Sequence, residues 1–84
     1  NIAFVTSVLK RSNKTRVGLY SLRDGYEIPA YIRNADLISS KLKAGHMLKI
    51  KKTRMKPKMV KVDGHWQASQ HNQELWVDDF VIAQ

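Results

Sequence analysis

Residues 15–33 read TRVGLYSLRDGYEIPAYIR, and their pattern decides the fold class. Val17 and Leu19 point one way and Arg16, Gly18, Tyr20 and Leu22 the other, the period-2 signature of a strand with one buried face. After Arg23 comes Asp24-Gly25, a pair that accepts the positive φ values of a tight hairpin. Alternation then resumes, with Tyr26, Ile28, Ala30 and Ile32 on one face and Glu27, Pro29, Tyr31 and Arg33 on the other. Gly18 in mid-strand predicts a bulge or a sharp bend. Pro29 cannot donate to a ladder, which places its strand at an edge or a bulge.

Upstream, residues 2–9 (IAFVTSVL) are β-branched and aromatic with no Gly or Pro, and residues 11–14 carry turn chemistry, so a first strand and a loop precede the hairpin. Downstream, the period changes at Asn34. Asn34 suits an N-cap, Leu37, Ile38, Lys41 and Leu42 recur at helical spacing, and Gly45 stands where helices end, which predicts one short helix over 34–45. Alternation returns at residues 47–51 (MLKIK) as a fourth strand. Residues 67–74 (QASQHNQE) are polar without periodicity and read as a loop. LWVDDFVIA at 75–83 closes the chain as a fifth strand burying Leu75, Val77, Phe80 and Ile82.

The fourth strand leads into KIKKTRMKPKMVK at 49–61, which holds Lys49, Lys51, Lys52, Arg54, Lys56, Lys58 and Lys61 and no acid. Those are seven of the 15 lysines and arginines in the chain. Pro57 interrupts the segment, Asp63-Gly64 turns it, and HWQAS returns it, so it reads as a basic ribbon bent back on itself with Trp66 on the return arm. Such a ribbon suits a nucleic-acid strand.

Eighty-four residues make one domain, burying only about 60–65% of its unfolded surface, so function belongs on the surface rather than in an internal cavity. With no cysteine, neither disulfides nor thiolate metal sites staple the fold, and the redox compartment is left undetermined. No apolar run is long enough to span a membrane and no signal-peptide pattern is present, which makes an intracellular protein, cytoplasmic or nuclear, the expectation. The formal net charge of +8 favours a polyanionic partner, since every phosphate contact releases condensed counterions. A membrane surface would call for a basic amphipathic helix, and none is found.

The succession strand, strand, strand, helix, strand, strand resembles the OB-fold, a five-stranded Greek-key barrel. RVGLYSLRDGYEIPAYIR (16–33) and LKAGHMLKIKK (42–52) resemble segments of S1-type and bacterial initiation-factor-1-like domains. ELWVDDFVIA (74–83) is similar to the closing strand of single-strand-binding domains of the replication-protein-A type. That resemblance implies a groove across the second and third strands, flanked by the loops between strands 1 and 2 and between strands 4 and 5. Lys10, Arg11, Lys14 and Arg16 stand at the first loop and the basic ribbon with Trp66 at the second, with Tyr20, Tyr31 and Arg33 facing outward between them. Tyr20, Tyr31 and Trp66 are candidate base-stacking faces, whereas Tyr26, Trp76, Phe4 and Phe80 are assigned to the core.

No catalytic or metal chemistry is expected. His46, His65 and His71 match no ligand spacing, the four glycines are scattered singly, and Asp78 and Asp79, adjacent on a strand, face opposite ways. One of those two acids is expected to pair with a ribbon lysine. The expectation is therefore a cofactor-free, non-catalytic binder of single-stranded DNA or RNA, alone, as a homo-oligomer, or within a larger replication or translation assembly. Two alternatives stay open: an SH3- or Tudor-like barrel that engages an acidic protein segment, and an accessory domain of a larger replication, repair or translation enzyme.

Overall fold

The computed structural model describes residues 1–37 and 41–83. Strands β1 (Ile2–Lys10), β2 (Lys14–Ser21), β3 (Glu27–Arg33), β4 (Met47–Val62) and β5 (His65–Ile82) follow one another along the chain. In space they run β1-β2-β3-β5-β4, and β4 returns to β1, so the sheet closes in a ring. Every neighbour is antiparallel except β3 and β5, which meet in parallel through Ala30↔Leu75 and Tyr31↔Trp76. Among the described residues, no helix is long and apolar enough to cross a membrane.

The inward faces follow the alternation. Val17 and Leu19 of β2, Ala30 and Ile32 of β3, Ala3 and Val5 of β1, Leu48 of β4 and Val77 of β5 make the buried core. Leu75, Phe80, Ile82 and Ile28 pack partly buried against it. Two residues assigned to the core stand elsewhere: Tyr26, just before β3, is 58% exposed, and Phe4 is on the outer face of β1 at 39%.

Gly18 is explained by its neighbour strand. The register of β1 on β2 shifts between Val5 and Ser7, so Thr6 is a surplus residue and the bulge lies in β1, opposite the glycine. The kink folds the side chains of Thr6 and Ser7 over Gly18, where a Cβ would collide with Thr6 Oγ1 and come within 2.8 Å of Ser7 Oγ and 2.9 Å of Glu27 Oε1. The Thr6 hydroxyl also donates to Glu27 Oε1. Pro29 pairs with this same Gly18 and lies beyond the two-residue contact with β5, so its missing N–H costs the ring nothing. The strand that Pro29 placed at an edge or a bulge is not an edge: β3 lies between β2 and β5 in the ring.

Three further expectations change. The helix is reduced to a 3-10 turn at Asn34–Leu37; residues 41–43 carry no helix and Ile38 lies outside the described residues. Gly45 closes a turn rather than a helix, with φ at 99° and its N–H donating to Val5 O at 2.8 Å, while Val5 N donates back to His46 O at 2.8 Å. The polar run at 67–74 is strand, part of an unbroken β5. Polar composition misled there because both faces of a two-stranded arm meet solvent, so nothing requires alternation.

Beyond the contact with β3, β4 and β5 continue as that arm, ending at Asp63-Gly64 with φ of 50° and 79°. The long axis of the molecule is 44 Å, and the radius of gyration of 13.5 Å exceeds the about 12 Å of a compact chain this long. Residues 69–72 of β5 oppose Lys58 alone, a wide bulge next to Pro57 in which Ser69 Oγ accepts from the N–H groups of His71 and Asn72 at 3.2 and 3.1 Å.

Replacing Gly18 by Ala is expected to destabilise by about 1–3 kcal/mol, the range for overpacking a filled site. Thermal unfolding should show a midpoint lowered by roughly 4–8 °C per kcal/mol; an unchanged midpoint would show that the bulge yields freely.

Candidate nucleic-acid interface

One row of outward side chains crosses four strands. Arg16 of β2 pairs with Tyr31 of β3, Tyr31 with Trp76 of β5, and Trp76 with Arg54 of β4. The two rings stack with centroids 5.6 Å apart and planes 30° from parallel. Three cations close over them. Lys14 Nζ stands 4.4 Å from the Tyr31 centroid and 5.7 Å from that of Trp76, Lys56 Nζ 4.6 Å from Trp76, and the Arg54 guanidinium carbon 5.4 Å from Trp76. All are within cation–π range, each contact contributing about 0.5–2 kcal/mol according to desolvation. Trp76 is left only 7% exposed on the outside of the ring, and its Nε1 finds no acceptor among the described residues.

Asn34 fixes the wall formed by residues 11–14. Its Oδ1 accepts from the buried Thr15 hydroxyl at 2.7 Å, its Nδ2 donates to Arg11 O at 3.0 Å, and its backbone N–H donates to Asn13 O at 3.3 Å. The residue expected to cap a helix instead ties the β1–β2 loop to the end of β3. The arm forms the opposite wall with Lys56, Lys58, Met59 and Trp66. Between them lies an open groove of ≈ 810 Å³.

Nine of the expected residues line this groove: Arg11, Lys14, Arg16, Tyr31, Arg33, Arg54, Lys56, Lys58 and Trp66. Three of the cations are already paired. Lys14 reaches Glu74 at 3.6 Å, Arg33 reaches Asp36 at 3.2 Å, and Arg54 Nε donates to both oxygens of Asp78 at 2.9 and 2.7 Å. The ribbon residue that meets Asp78 is thus an arginine, Arg54, and not the expected lysine. Arg11, Arg16, Lys56 and Lys58 have no ion pair among the described residues.

The other expected residues lie apart from the groove. Lys10 lines a second depression with Val8 and Leu42 at one end of the ring. Tyr20 faces outward between Phe4 and Glu27. Lys49 sits between Ile2 and Val81, Lys51 and Lys52 fall in the irregular stretch opposite Asp79, and Lys61 is across from Trp66 near the tip of the arm. Trp76, assigned to the core, is buried at 7% exposed, but on the outer face of the ring rather than within the inner cluster. The signal was present: with Leu75 and Val77 both inward, alternation puts Trp76 outside. Among the described residues no three His, Asp or Glu side chains gather as a metal site, and His46 accepts the Lys43 N–H on Nδ1 at 3.3 Å within its turn.

The two tryptophans should respond oppositely to removal. Trp66, 66% exposed, is expected to change stability by less than about 0.5 kcal/mol as Trp66→Ala. Trp76→Ala should cost about 3–5 kcal/mol. Denaturant unfolding of both variants checks this, and similar losses would contradict the placement of Trp66. Compared with known proteins, the chain matches no family model, no curated protein and no solved structure.

Proposed function

We propose that the chain is an OB-type barrel that binds single-stranded nucleic acid, DNA or RNA, without catalysis. The strand order β1-β2-β3-β5-β4 with a parallel β3–β5 closure supports the OB reading, since it is the connectivity of a five-stranded Greek-key ring. One observation carries the functional reading: both basic walls and the aromatic pair face a single open groove. Phosphates would run along Arg11, Arg16, Lys56 and Lys58. Trp66, with its exposed ring, would stack on bases at about 1–3 kcal/mol each with little sequence preference.

The SH3- or Tudor-like alternative would keep its cations peripheral to the aromatics. Here Lys14, Arg54 and Lys56 lie directly on them, which departs from that arrangement. A homo-oligomer or a larger replication or translation assembly would lengthen the track without changing its chemistry.

The test is a titration of labelled single-stranded DNA, single-stranded RNA and duplex DNA, with polyglutamate as control, followed by anisotropy at several salt concentrations. Single strands should bind with a steep salt dependence and polyglutamate should not compete; equal response to every polyanion would overturn the reading. Trp66→Ala is expected to weaken single-strand binding by about 5- to 150-fold. Lys56→Gln with Lys58→Gln should lower the salt slope by about 1.4, two single-strand phosphate contacts, while Lys51→Gln with Lys52→Gln leaves it unchanged. Equal slopes in the two double variants would place the phosphate track elsewhere.

A further inference from the structure

The side chains around Trp76 divide the groove by chemistry. A ring 7% exposed cannot receive a base, because Lys14, Lys56 and Arg54 occupy the space above it. The cations themselves remain partly available. Lys14 gives one contact to Glu74 and Arg54 commits its Nε to Asp78, while Lys56 meets no acid among the described residues. Three positive groups therefore stand against two carboxylates, leaving one charge uncompensated at a point held by cation–π contact. Ammonium and guanidinium groups carry several donors each, and Lys14, Arg54 and Lys56 all line the groove. Trp66 is different: it is open to solvent and lies seven β4 positions away, roughly 23 Å at about 3.3 Å per residue.

We propose that Trp76 is the floor of a phosphate station, where it gathers Lys14, Arg54 and Lys56 to hold a phosphodiester of the bound strand, while base stacking falls to Trp66. The proposal rests on the single-strand reading above and assigns the chemistry of two parts of its groove. Trp76 is then a positioning residue, acting through the cations it orders. Ordering them before binding reduces the freedom lost when the phosphate arrives.

The test uses the Trp66→Phe protein, in which Trp76 is the remaining tryptophan of two. Its emission is followed as oligothymidylate, an abasic phosphodiester strand of the same length, a thymine peptide nucleic acid with a neutral backbone, and inorganic phosphate are added. Trp76 should respond to oligothymidylate and to the abasic strand alike, and not to the neutral strand. Inorganic phosphate should need a concentration at least about tenfold higher per phosphate, since it lacks the neighbouring contacts of a chain. Lys56→Gln in this background should lower the salt slope of the Trp76 response by about 0.7. A response to the neutral strand, or silence with the abasic strand where oligothymidylate gives a signal, overturns the station. Inorganic phosphate acting as well as the strand overturns the strand as its source. Anisotropy of labelled oligothymidylate, measured in parallel, keeps the two readings distinct: absence of any binding removes the single-strand reading itself, whereas binding without a phosphate-dependent Trp76 signal removes only the station.

Discussion

The parallel contact between β3 and β5 is the constraint on which the structure depends. It consists of two residue pairs, and each serves a different side of the sheet. Ala30 and Leu75 face inward and seal the core, while Tyr31 and Trp76 face outward and stack. Ring closure and the aromatic floor are therefore one event. A change that loosens the inner pair displaces the outer one, so stability and site geometry cannot vary independently at this seam.

Around that seam the protein surrounds its cations with acids. Glu74, Asp78 and Asp36 neutralise Lys14, Arg54 and Arg33 at 3.6, 2.7 and 3.2 Å. Pairs at the surface contribute little to stability, about 0–1 kcal/mol each. Their effect is on placement: a long basic side chain held between a carboxylate and a ring samples few rotamers. Within the groove, the cations without an ion pair among the described residues are Arg11, Lys56 and Lys58 on the walls and Arg16 at the side of the floor.

Much of this was legible in the sequence where one face of a strand is buried. Residues 15–33 gave their strands and faces by alternation, and the positive φ demanded at Gly25 and Gly64 marked two turns. Legibility failed where tertiary context overrode local pattern. Asn34 looks like a helix cap because its side chain accepts and donates hydrogen bonds, and it does so here to the β1–β2 loop instead. Residues 67–74 lack alternation because the arm has no core beneath it. The basic walls were visible as charge clusters, yet the pairing that takes Lys14, Arg33 and Arg54 out of the free set depends on contacts between separate strands. The outward placement of Trp76 was hidden by type rather than by pattern, since a large aromatic in an apolar strand is ordinarily core.

The bulge at residues 69–72 gives one pair of strands two independent registers. Toward the ring, β4 and β5 align from Leu48↔Ile82 to Pro57↔Gln73; toward the tip, the alignment restarts from Met59↔Ala68 to Val62↔His65. The tip is thus a hairpin in its own right, framed by its turn, and can zip locally on the roughly 1–10 μs scale of such elements. The ring cannot, because its closing contact joins β3 to a strand far along the chain, and distant pairings fold slowly. Surplus residues at the junction let the early hairpin form without dictating how β5 later docks on β3, so an error in one register need not propagate into the other.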